Sequence, residues 1–140
     1  AVVYIKNKNN RVMKYYTNKT IEGNFYEVIE KVTEALKEEG FGVLSDIDVK
    51  ETLKNKLDVD FRKYRILGAC NPPNAHKALT TEPNIGLMLP CNVVVQETEN
   101  GKVDVSAIDP NASMAAVENP ELEEVASFIK NKLEKVVNSL

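Results

Sequence analysis

The chain has 140 residues, of which 43% are hydrophobic and 28% charged, and a formal net charge of −3. That is the length and composition of one ordinary soluble domain with a core of its own. Acids and bases are mixed along it, so it has no sustained basic face to neutralise nucleic-acid phosphates. Its apolar runs, Ile85 to Leu89 among them, are far short of the roughly 18–20 residues that span a bilayer.

The first residues do not form a secretory signal. Met13 opens a more ordinary beginning, so residues 1–12 read as an N-terminal extension or appended segment and 13–140 as a single domain. Cys70 and Cys91 are too few for a disulfide scaffold. The expectation is a cytoplasmic protein with reduced thiols.

Met13 to Thr17 alternates and reads as a first strand. Asn24 stands at capping-box spacing from Glu27. Phe25, Val28, Ile29, Val32 and Leu36 follow at helical spacing, and Gly40 suits the stop. Val43 to Val49 alternates as a second strand, Glu51 to Leu57 is a short helical connection, and Phe61 to Cys70 returns to strand. Within that strand Tyr64, Ile66, Gly68 and Cys70 share a face. Asn71-Pro72-Pro73 starts a short helix, because proline's missing N–H costs nothing at the first helical position. Cys91 to Glu97 and Lys102 to Ile108 are strands joined through Asn100-Gly101, a strong hairpin signal. Asn119-Pro120 repeats the cap-plus-proline start, and Leu122, Val125, Ile129, Leu133, Val136 and Val137 give the closing helix its buried face. The order predicts an α+β fold, β-α-β(4)-α, with a mostly antiparallel sheet and two long helices on one face.

Unusual chemistry concentrates between Cys70 and Asn92. Cys70 ends a strand just before a helix N-terminus, where free amides and the dipole favour negative charge and a thiol gains reactivity. His76, the chain's one histidine, follows on the same short helix. Pro90-Cys91-Asn92 enters the valine-rich strand, with Cys91, Val93 and Val95 on one face, so Cys91 also fits as a core residue. If the strands carrying Cys70 and Cys91 are neighbours, Cys70, His76 and Cys91 could hold zinc or copper, although their spacing matches no zinc-finger pattern. A reactive thiol and a helix-start anion pocket at Asn71 are the other chemistries open to the ligand-binding candidates Cys70, Asn71, His76, Cys91 and Asn92. Asp46, Asp48 and Glu51 read as a solvated face rather than a cation site. No conventional catalytic motif is present, so whether the protein is an enzyme stays open.

Tyr64 to Pro72, Ala75 to Leu79, Glu82 to Val95 and Val105 to Pro110 together resemble domain-of-unknown-function family 302. The likeness runs from about Tyr15 to Leu140, and its Cys-Asn-Pro and Pro-Cys-Asn blocks are specific. The resemblance implies a fold likened to the TATA-binding-protein-like class and a homodimer. It carries no activity and no DNA binding, because function lives in sites rather than folds. Two functions are therefore expected to compete: a small-ligand or metal-binding module, and a non-catalytic dimeric interaction domain whose cysteines are core.

Overall fold

The computed structural model describes residues 4–6 and 12–140, so much of the segment set apart at 1–12 lies outside the described residues. Strand β1 (Tyr4–Lys6) pairs antiparallel with β2 (Val12–Lys14) in a two-stranded sheet of their own. The first strand of the main sheet is β3 (Tyr16–Ile21), later than the expected 13–17. Its sequence, Tyr-Thr-Asn-Lys-Thr-Ile, is rich in strand-favouring Tyr, Thr and Ile, but has no apolar alternation to mark where the strand begins. Its position is set by a six-residue ladder with the far end of the chain, from Tyr16 opposite Ile108 to Ile21 opposite Val103.

Helix α1 (Phe25–Glu38) starts where the cap predicts: Asn24 Oδ1 accepts from the Tyr26 N–H at 3.0 Å and the Glu27 N–H at 3.2 Å. Strand β4 (Gly42–Asp48) follows, then α2 (Val49–Leu57), capped by Asp48, and β5 (Tyr64–Cys70). Helix α3 (Pro72–Thr81) and a 3-10 segment (Pro83–Met88) precede β6 (Cys91–Glu97). Strand β7 (Val103–Ile108), the short α4 (Pro110–Ser113) and the long α5 (Pro120–Asn138) complete the chain.

The main sheet has the order β3-β7-β6-β5-β4 with every neighbouring pair antiparallel, and with α1 and α5 it forms the expected α+β arrangement. Period-two alternation sends Leu67, Ala69, Cys91, Val93, Val95, Val103, Val105 and Ala107 to one face. There they pack in a single cluster with Phe25, Val28, Val32 and Leu36 of α1 and Ile129, Leu133, Val136 and Val137 of α5. Helix propensity alone would leave such helices marginal, so burial of these apolar stripes is what holds them.

The opposite face carries Tyr64, Ile66, Gly68, Asn92, Val94, Gln96, Asp104 and Ser106. Several of the polar groups on and beside it bond to one another. Asp104 accepts from Asn18 Nδ2 at 3.0 Å, Thr20 Oγ1 at 2.9 Å and Ser106 Oγ at 3.1 Å, and Gln96 Oε1 accepts from both Arg62 Nε and Nη2. At the β4 edge, Asp46 and Asp48 are tied across the ladder to Arg65 at 3.0 and 3.4 Å, a pairing that alternation within one strand could not reveal.

A candidate cavity at the end of the sheet

Strands β5 and β6 both end or begin at the same edge of the sheet, because Ala69 lies opposite Cys91 in their ladder. Three features hold that end together. Gly68 admits no side chain: a Cβ there would sit 2.7 Å from Pro90 Cγ and would also strike Ser45 Oγ. Asn71 Oδ1 accepts from the Asn74 N–H at 3.4 Å and from Asn74 Nδ2 at 2.8 Å, which starts α3 directly after β5. Asp109, only 7% exposed, accepts from the N–H groups of Asn111 and Ala112 and pairs with Lys130 of α5 at 3.3 Å. The last contact fixes the β7-to-α5 connection against the same end.

Between these elements lies an open cavity of about 320 Å³. Strand β5 supplies Ala69 and Cys70, β6 supplies Cys91, and α3 supplies Asn74, Ala75, Ala78 and Leu79. Leu89 and Pro90, Pro110 and Met114, and Val125, Ala126 and Ile129 of α5 close the remaining sides. None of the lining residues carries a charge. Leu44 and Leu79, at the rim, are 71% and 44% exposed.

Among the sequence candidates, Cys70, Asn71 and Cys91 come together in this cavity; His76 and Asn92 do not. His76 is exposed on another side of α3 and faces a groove with Lys77, Glu121, Glu124 and Phe128. The reason is helical geometry: Ala75, Ala78 and Leu79 turn inward, which turns His76 and Lys77 outward. Asn92 is exposed on the open face of the sheet, across from Gly68 and beside Tyr64 and Gln96, since one step along a strand reverses the side chain. Among the described residues, no group of three or more His, Cys, Asp or Glu is placed to hold a metal. Zinc or copper would therefore have only Cys70 and Cys91 in common, and a structural zinc site takes four ligands.

Both cysteines are free thiols. Cys91 is buried, and burial, with a smaller contribution from neighbouring Cys70, pushes its thiol from the ordinary 9.0 up to about 11. It is thus a neutral, weakly polar wall at physiological pH, not a nucleophile. The anion pocket expected at the start of α3 meets a similar obstacle. Pro72 and Pro73 have no N–H, the Asn74 N–H is taken by Asn71 Oδ1, and the Ala75 N–H by the Asn71 carbonyl at 2.9 Å. The donors that an anion would use at a helix start are absent or committed. Met114, Leu89, Val125 and Ala126 were invisible as site residues in the sequence, because an apolar residue facing a cavity has the same pattern as one facing the core.

One antiparallel sheet covered on one face by two long helices, with an uncharged cavity at its end, defines the molecule as an α+β domain. Residues 17–140 match the family described as Domain of unknown function DUF302, and the chain belongs to it. A solved structure, the crystal structure of uncharacterized conserved protein DUF302 from Bacillus stearothermophilus, is similar at 33% identity with a TM-score of 0.82. The match covers 89% of this chain and 96% of that one. A comparison with curated proteins gives no match. Among the described residues, no helix is long and apolar enough to cross a membrane.

Proposed function

We propose that this domain binds a small, mainly apolar molecule in the cavity lined by Cys70, Asn71 and Cys91. The observation that carries the reading is the cavity itself: its volume of about 320 Å³ lies at the lower end of the roughly 300–1,000 Å³ of small-molecule sites. Its lining has that chemistry too, apolar walls with a few neutral polar groups. The two cysteines act as wall and soft contact rather than as a catalytic pair, since Cys91 keeps its proton. Free thiols fit a reducing, cytoplasmic setting. The test is displacement of an apolar fluorescent dye from the purified protein, with Ala78→Phe to fill the cavity from α3. Dye binding lost in Ala78→Phe while the unfolding transition stays cooperative supports the reading; unchanged binding sinks it. Elemental analysis of the protein as purified decides whether a soft metal occupies the Cys70–Cys91 pair.

A second reading, self-association, is favoured by the edge of the sheet. Strand β4 is an edge strand with Leu44 and Ile47 exposed, and α2 beside it has no buried residue while Leu57 is 66% exposed. A second copy of the chain would cover this patch, as edge strands invite pairing. Sedimentation velocity should then show a dimer that Leu57→Glu converts to monomer; a monomer at high concentration in the unmodified protein removes this reading.

A further inference from the structure

The wall of the cavity and the shape of its mouth together specify which part of a ligand enters, an inference that rests on the binding reading above. Almost all of the surface that the cavity offers is apolar. Asn71 and Asn74 border it, but Asn74 Nδ2 donates to Asn71 Oδ1 at 2.8 Å, and no lining residue is charged. A charged or strongly hydrated group drawn inside would lose its water with nothing to replace it. The part of a ligand that fills the space is therefore hydrocarbon. An engineered apolar cavity of about 150 Å³ takes one benzene ring. A volume of about 320 Å³ has room for roughly twice as many carbons, about ten to twelve.

The mouth continues this apolar surface outward. Leu44 and Leu79 line the cavity and are also exposed, and Leu87, next to the lining residue Gly86, is 86% exposed. Leu44 owes its place to a β-bulge. The β4–β5 register passes from Val43 opposite Ala69 to Ser45 opposite Gly68 and leaves Leu44 without a partner. Val43 packs against the core and Leu44 lines the cavity, so two successive residues serve the covered side, where plain alternation would send the second to the open face. We propose that the cavity takes the end of a single alkyl chain, which continues across Leu44, Leu79 and Leu87 and leaves its head group in water. The protein then reads the length of the chain and not the chemistry of the head.

Octanol, octanoate and octylammonium, titrated into the full chain at neutral pH and followed by displacement of the apolar dye, test the head. Their affinities should agree within about threefold, since all three heads keep their water. Alkanoates of six to sixteen carbons, kept below micelle-forming concentrations, test the chain. Affinity should rise about fourfold per added methylene, the transfer gain of one CH₂, up to about twelve carbons and more slowly beyond. In the Leu44→Ser, Leu87→Ser double variant, hexanoate should bind as before while hexadecanoate loses several-fold. A preference of about tenfold or more among the three heads, or hexadecanoate binding that the double variant leaves unchanged, overturns the proposal while leaving the cavity reading intact. Co-sedimentation with phosphatidylcholine vesicles distinguishes a membrane lipid from a free amphiphile as the source of the chain. If no alkyl compound displaces the dye, the binding reading falls and takes this one with it.

Discussion

Cys91 and Asn92 are neighbours in the chain, yet they belong to different chemical environments. Cys91 faces the helices, is buried, and holds its proton up to about pH 11; Asn92 faces away, exposed, among tyrosines and amides. The same contrast runs through the sheet. On the covered face, apolar side chains from five strands and two helices pack into one cluster, and the space that remains unfilled at the end is apolar too. On the open face, polar groups gather in two clusters, Asn18, Thr20 and Ser106 around Asp104 and Arg62 on Gln96. The cavity continues the covered face, and its lining carries no charge. The open face has a hollow of its own, about 820 Å³, but a polar one, lined by Asn18, Asn92, Gln96 and Asp104 beside Tyr16 and Tyr64.

The sharpest way to break this comparison is a pair of adjacent substitutions. Leu67→Ala, on the covered face with 1% exposure, should cost about 2–5 kcal/mol in chemical denaturation. Ile66→Ala, one residue earlier on the open face, should cost clearly less; equal losses would mean that both faces are packed. Next comes Gly68→Ala. Its new methyl must displace the Pro90 ring or the Ser45 hydroxyl, with an expected loss of about 1–3 kcal/mol and weaker dye binding, because Pro90 is part of the cavity wall.

Cys91 adds a pH signature. Its folded thiol, at about 11, binds the proton more tightly than the unfolded thiol at 9.0. Between those values the unfolded state has already lost the proton, so stability falls as pH rises. The contribution is complete below pH 9 and is lost on passing toward pH 11, on the order of 2–3 kcal/mol in all. Cys91→Ala should flatten this part of the stability profile, and an unchanged slope would show that Cys91 is not the group responsible. The smallest effect is expected at the rim: Leu44→Ser, at a residue 71% exposed, should change unfolding by less than about 0.5 kcal/mol. Its measurable consequence is weaker binding of the apolar dye, which separates a rim residue from a core residue.

Much of the fold was legible because it is encoded locally. Asn24, Asn71 and Asn119 cap helices at the positions their spacing predicts. Gly101, at φ +73°, closes the β6–β7 turn, and the alternation of Cys91, Val93 and Val95 correctly placed all three inside. Strand β3 was placed too early because its strand-favouring Tyr, Thr and Ile carry no apolar alternation, and its register comes from a ladder with β7, more than eighty residues away. The candidate site was legible only in part, for a related reason. Cys70, Asn71 and Cys91 lie in unusual local blocks, and strand pairing brings them to one cavity. His76 stands in the same blocks and is turned away by the helix that the Asn71 cap begins.

By itself, then, the sequence determined where the capped helices start and which faces of the helices and of β5 to β7 avoid water, since caps, prolines and periodicity act over a few residues. Only the tertiary structure decided that α3, α4 and α5 meet the ends of β5 and β6 without filling the space between them. An empty volume has no residue of its own: it arises where elements distant in sequence pack against the sheet and their side chains fall short of one another.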